Sequence, residues 1–121
     1  MAAHASLPGM SVVAIGRVYG IVSSRAQLVE LMRRTAAAAR AEPGCRSYDF
    51  AEAVDAADEF VVVHEWEDRA ALEAHYRGAA HRAYQQGLHG LLDRPSDLAI
   101  HDVASTERPV GRGPMDPRDA D

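Results

Sequence analysis

The chain has 121 residues, 47% of them apolar, and a formal net charge of −5, enough for one domain with one modest core. No apolar run approaches the roughly 18 residues of a membrane span, and an acidic balance without a basic stripe argues against nucleic acid as a partner. A single cysteine, Cys45, excludes an intramolecular disulfide framework and a cysteine zinc knuckle, and is expected to be a buried structural thiol.

Residues 1–10 read as a flexible lead-in. They lack a basic n-region and an apolar h-region, so no secretory leader is expected and the expected compartment is the cytoplasm. Ser11 to Val22 is rich in Val and Ile and is predicted to be a strand. Ser24, with Gln27 three residues on, fits a capping box at the start of a helix over Arg25 to Ala41. The apolar face of that helix is Leu28, Met32, Ala36 and Ala39, and Glu42-Pro43-Gly44 stops it. Cys45 to Ala53 is a second strand with Tyr48 and Phe50 on one face. A polar turn over 54–58 joins it to a third strand, Glu59 to Glu67, as an antiparallel hairpin. Asp68 caps a second helix from Arg69. Gly78 interrupts that helix, which is expected to resume over Ala79 to Leu92 with an inner face of Leu72, Tyr76, Ala80, Tyr84, Leu88 and Leu91. Asp93 to Pro95 breaks it, and Asp97 to Val103 is a fourth strand. The tail from Ser105 to Asp121 is rich in Pro, Gly and charge and cannot build a core; it is expected to be solvated or wrapped on a partner.

The resulting order, β-α-β-β-α-β, suits a ferredoxin-like α+β protomer: a four-stranded antiparallel sheet with two helices on one face. The strands do not alternate apolar with polar, as a half-solvated sheet should. Strand one carries Val12, Ala14 and Val18 on one face and Val13, Ile15, Tyr19 and Ile21 on the other. Strand three carries Phe60, Val62, His64 and Trp66, then Val61, Val63 and Glu65. Two helices cover one face only, so the other predicts a homodimer packed sheet to sheet.

Three segments then stand out in order: Glu42-Pro43-Gly44-Cys45 after the first helix, Phe60-Val61-Val62-Val63 leading to Glu65-Trp66-Glu67-Asp68, and Ala70-Ala71-Leu72-Glu73-Ala74-His75. Over residues 11–104 the chain resembles the antibiotic biosynthesis monooxygenase family. The resemblance implies a homodimeric α+β barrel with a pocket between each protomer's sheet and helices. It also implies oxidation of phenols, quinols or anthrones with O₂ and no metal, flavin or haem. The haem-degrading relatives use an Asn on strand one, and this chain has no Asn; their axial His aligns with Gln85 here.

The residues supply candidates for such a pocket. His64 and His75 are candidate bases for a phenol proton, since histidine titrates near neutrality. Trp66, the only tryptophan, ends strand three on the face of Phe60, Val62 and His64 and would wall the site. Tyr76 and Tyr84 flank the small Ala80 on one helix face, leaving room for a flat aromatic ligand, and His81 lies beside them. Arg17, inside strand one, needs a partner: Glu65 in the dimer interface, or an anionic substrate. Tyr48 and His101 are further possible pocket members. The spacings of His64, His75 and His81 match no metal-ligand motif, so no metal is expected. The substrate expected is a small aromatic molecule, with O₂ as co-substrate. Two other functions fit the same frame: a small-molecule-binding accessory protein without turnover, and an isomerase working by proton transfer alone.

Overall fold

The computed structural model describes residues 10–111 and 113–114. Its elements are β1 (Val12–Gly20), a 3-10 turn (Val22–Ser24), α1 (Arg25–Arg40), β2 (Cys45–Glu52), β3 (Glu59–Trp66), α2 (Arg69–Arg77), α3 (Ala79–Gly87) and β4 (Leu92–Asp102). The strands form one antiparallel sheet in the order β2-β3-β1-β4. This is the ferredoxin-like α+β architecture, with the second helix divided in two at Gly78.

Pleat parity and register decide which residues meet the helices. Val12 pairs with Trp66, Ala14 with His64 and Val18 with Phe60, and all six are buried. Helix α1 buries Leu28, Leu31, Met32, Thr35, Ala36 and Ala39, the three-and-four spacing of one helical face. Two clusters result. One gathers Val12, Ala36, Ala39, Tyr48, Val62, Trp66 and Leu72; the other gathers Val18, Leu28, Leu31, Met32, Phe60, Tyr84 and Leu88. The opposite sheet face carries Val13, Ile15, Val61 and Val63, of which Ile15 is 43% and Val63 37% exposed. No helix among the described residues is long and apolar enough to cross a membrane.

Four local expectations change. The capping box at Ser24 and Gln27 does not form. The 3-10 turn runs straight into α1, Ser24 N donates to Ile21 O, and the Ser24 side chain makes no cap bond because its backbone is not extended. Helix α3 ends at Gly87 rather than Leu92, the chain turns at Gly90 in the left-handed region (φ +76°), and β4 starts at Leu92. Pro95 therefore lies inside a strand. It is tolerated because β4 is an edge strand and because Pro95 and Ser96 together oppose Val18 alone, a bulge between the Arg17–Asp97 and Tyr19–Arg94 pairs. Cys45 is half-buried rather than buried, and its thiol, raised by burial, donates to Ser47 O at 3.5 Å. The expected lead-in falls mostly on residues 1–9, outside the described residues. Residues 105–111 are exposed and carry neither helix nor strand.

Two turns fix where α2 begins. Asp68 accepts from Ala71 N at 2.9 Å and starts α2 as its sequence implies. Gly44 sits at φ +81°, where a Cβ would lie 2.6 Å from Ala71 Cβ, and its carbonyl accepts from Glu67 N at 2.8 Å. The Glu-Pro-Gly stop is thereby held against the start of α2. At the other edge, a Cβ on Gly16 would stand 2.1 Å from the Asp97 carbonyl oxygen, so glycine is what lets β4 lie this close to β1. Gly16→Ala is expected to cost about 1–3 kcal/mol in urea unfolding. Gly111→Ala, where a Cβ meets nothing within 4 Å, should leave the midpoint unchanged.

Candidate functional site

Between the sheet and helices α2 and α3, where the two core clusters meet, lies a cavity of about 100 Å³. Val18, Tyr48, Val62 and His64 form its sheet wall, and Tyr76, His81, Tyr84 and Gln85 its helix wall. Ser96, Asp97 and Leu98 of the bulged edge strand complete it. The Asp97 carboxylate is turned away, accepting from Arg17 N and from Tyr19 Oη at 3.1 Å each.

The sheet wall contains one decisive bond. Trp66 Nε1–H donates to His64 Nδ1 at 2.7 Å, and both residues are buried. An indole nitrogen can only donate, so Nδ1 of His64 must hold its lone pair and the ring proton sits on Nε2. Burial, reinforced by His75 and His81, lowers the His64 pKa to about 4, so the ring is neutral at pH 7. The Tyr48 ring stacks on it at 4.4 Å. His64 is therefore a hydrogen-bond donor at neutral pH.

Behind this wall sits His75, its side chain fully sealed from solvent. Its Nδ1 lies 2.6 Å from Glu42 Oε1, while Nε2 has no hydrogen-bond partner. Rings surround it: Trp66 at 4.8 Å, His81 at 5.3 Å, Tyr76 at 5.4 Å and Tyr48 at 5.5 Å between centroids. The Tyr76 hydroxyl is likewise buried without a partner. His81 Nε2 lies 3.4 Å from the Gln85 amide nitrogen, and burial lowers its pKa from the ordinary value. Burial also raises Tyr76 and pushes Tyr84 up to about 12. At neutral pH the histidines and tyrosines that line the cavity are thus uncharged, and the wall offers oriented N–H and O–H groups instead.

Comparison with known proteins decides the family. Residues 11–87, more than half of the chain, match the family described as antibiotic biosynthesis monooxygenase. The chain belongs to that family. The solved structure of Rv0793 from Mycobacterium tuberculosis is 30% identical and superposes with a TM-score of 0.72, covering 81% of this chain and 97% of that one. PA3566 from Pseudomonas aeruginosa, at 23% identity and a TM-score of 0.72 over 85% of this chain and 100% of its own, shares the fold. An uncharacterized protein of Synechocystis, sll1783, is 26% identical over 96 residues, 79% of this chain. That match spans 65% of the Synechocystis protein's length.

Within this antibiotic biosynthesis monooxygenase domain, the structure brings most of the sequence candidates together. Val62, His64, Tyr76, His81 and Tyr84 line the cavity, and Trp66 and His75 pack directly behind it. Three candidates lie elsewhere. Phe60 faces a separate open groove of about 340 Å³ under α1, beside Val29, Met32 and Phe50. Arg17 points to the opposite sheet face, as strand parity dictates, and pairs with Glu59 at 2.8 Å rather than with Glu65, which pairs with Arg46 at 3.3 Å. His101 is exposed, opposite Val13 on that same outer face. Glu42 and Gln85 were not anticipated. The His64-x-Trp66 spacing, two neighbours on one strand face, was the signal for the tautomer-fixing bond.

A buried neutral histidine makes stability depend on pH in a defined direction. The unfolded ring titrates near 6.5 and the folded one near 4, so stability is complete above about pH 6.5 and falls as pH drops through that window. Urea unfolding between pH 4 and 7 should show this slope, and His64→Phe should reduce it. Trp66→Phe removes the donor that favours the neutral ring, so the NMR titration of His64 should move up from about 4.

Proposed function

We propose that this protein is a cofactor-independent monooxygenase that oxidises an electron-rich phenol, quinol or anthrone-type aromatic with O₂. The observation that carries this reading is that one cavity is lined by His64, whose free ring nitrogen carries a proton, and by Tyr76, whose hydroxyl is buried beside it without a partner. Two donors without an acceptor of their own suit a substrate oxygen, and suit it better once that oxygen is an anion. A closed-shell molecule reacts slowly with triplet O₂, but a phenolate or enolate can pass it one electron, and the radical pair then combines. One oxygen atom stays on the ring and the other leaves as water; the substrate supplies the two protons of that water and all four electrons that reduce O₂, two of them in the new carbon–oxygen bond.

In this reading His64 stabilises the oxyanion and is not the base, because its remaining nitrogen already carries a proton. Arg17 faces the other side of the sheet and takes no part in stabilising the substrate. The proton goes to the imidazoles of the helix side, His81 and His75. Trp66, Val62 and Tyr84 keep the site dry. A cavity of about 100 Å³ holds roughly three waters' volume, which suits one ring. The rest of a larger substrate would lie over Leu98 and Ile100, apolar residues of β4 that are 44% and 37% exposed.

The apolar outer face of Val13, Ile15, Val61 and Val63 supports a homodimer packed sheet to sheet, with the Arg17–Glu59 pair at its fringe. Light scattering at micromolar concentration should give twice the chain mass, and a monomer would remove this part of the proposal. The oxygenase reading is tested with an oxygen electrode, metal-stripped protein and a panel of dihydroxynaphthalenes and anthrones. Uptake above the autoxidation blank is expected, reduced about tenfold or more in Tyr76→Phe and in His64→Phe. Thermal stabilisation by the same compounds without uptake would identify a binding protein, and product without O₂ consumption an isomerase.

A further inference from the structure

Glu42 belongs to the turn that stops α1, yet its carboxylate does more than end a helix. One oxygen, Oε1, lies 2.6 Å from His75 Nδ1. The other, Oε2, lies 3.1 Å from where a Cβ on Gly78 would stand, at the break between α2 and α3. The Glu42 side chain is 22% exposed and that of His75 is 0% exposed. The pair thus joins the sealed ring cluster behind the cavity to solvent, on a path separate from the open β4 side.

We infer that Glu42 is a positioning residue: it holds the His75 ring with Nδ1–H on the carboxylate and the Nε2 lone pair turned into the cluster, so that His75 receives the proton that leaves a bound phenol. The chemistry follows from the inventory of the ring. With Nδ1–H committed to a carboxylate, a neutral imidazole keeps its lone pair on Nε2. That nitrogen is buried and unpartnered, which is costly unless some state of the protein uses it. A carboxylate accepting from Nδ1–H fixes the orientation and tautomer of the ring. The groups facing His75 are Tyr48 from β2, His64 and Trp66 from β3, Tyr76 from α2, His81 from α3 and Glu42 from the α1 stop. Glu42 is the one carboxylate among them. His81 lines the cavity and packs ring to ring on His75 at 5.3 Å between centroids, so a turn of its ring toward the unpartnered Nε2 would link the two. The O–H bond of the phenol breaks, an N–H bond forms on imidazole, and the proton passes through the Glu42 side to water.

The proton-transfer role rests on the phenol-oxidising reading above, whereas the orientation of His75 does not, and the two are tested separately. Nitrogen–proton NMR of the histidine side chains reads the tautomer without any substrate. Wild-type protein is expected to show His75 protonated at Nδ1 and bare at Nε2, and Glu42→Gln to lose that preference. A wild-type ring protonated at Nε2, or a Gln variant that keeps the wild-type pattern, would overturn the positioning role whatever the protein's activity. The second arm uses 4-nitrophenol under nitrogen, whose anion absorbs in the visible. Bound to the wild type it should ionise at lower pH than in water. Glu42→Gln should raise that midpoint by about one unit or more, and Glu42→Asp should restore part of the shift. Equal midpoints in wild type and Glu42→Gln, or no binding of the phenol, would overturn the proton-transfer role. In turnover with an oxidised substrate, the Gln variant should lose about tenfold or more in kcat at neutral pH with KM little changed. The defect should close as pH passes the substrate's own pKa, and a loss equal at all pH would mark Glu42 as merely structural.

Discussion

An indole N–H sealed inside a protein must find an acceptor, and here the acceptor two residues away on the same strand face is an imidazole. The character of the cavity follows from that bond. It fixes which nitrogen of His64 keeps a proton and makes the sheet wall a donor surface. The stacked Tyr48 ring and the buried Trp66 pack directly against the imidazole. A residue that reads in isolation as a proton acceptor is thereby a hydrogen-bond donor at neutral pH.

The fold was legible in the sequence to the extent that it depends on alternation and punctuation. Parity along Glu59 to Trp66 placed Phe60, Val62, His64 and Trp66 together, and Pro43-Gly44 and Gly78 marked real breaks. What local pattern could not supply was register and three-dimensional return. The partner of Arg17 depends on which β3 residue lies diagonally across, and that choice fell on Glu59. Pro95 looked like a stop because the position of β4 at the sheet edge was unknown. Glu42 looked like helix punctuation because His75, its partner, is 33 residues away in sequence.

The sheet separates two tasks by direction. One set of alternate residues on β1 and β3 builds the cavity, and the intervening set builds an apolar outer surface. A one-residue slip in β3 would exchange the two, so both tasks constrain the same register. Family membership accounts for this frame. It does not by itself name a reaction, since the same architecture supports different chemistries.

The lack of any cationic side chain in the lining also decides what can enter. An acid group, phosphate or sulfate would leave its water at the mouth and meet Tyr, neutral His and Gln, with no Arg or Lys among the described lining residues to compensate it. A neutral aromatic meets no such barrier. Ligand collections dominated by carboxylates and phosphates are therefore poorly matched to this protein, and small uncharged molecules are the chemical space in which to search.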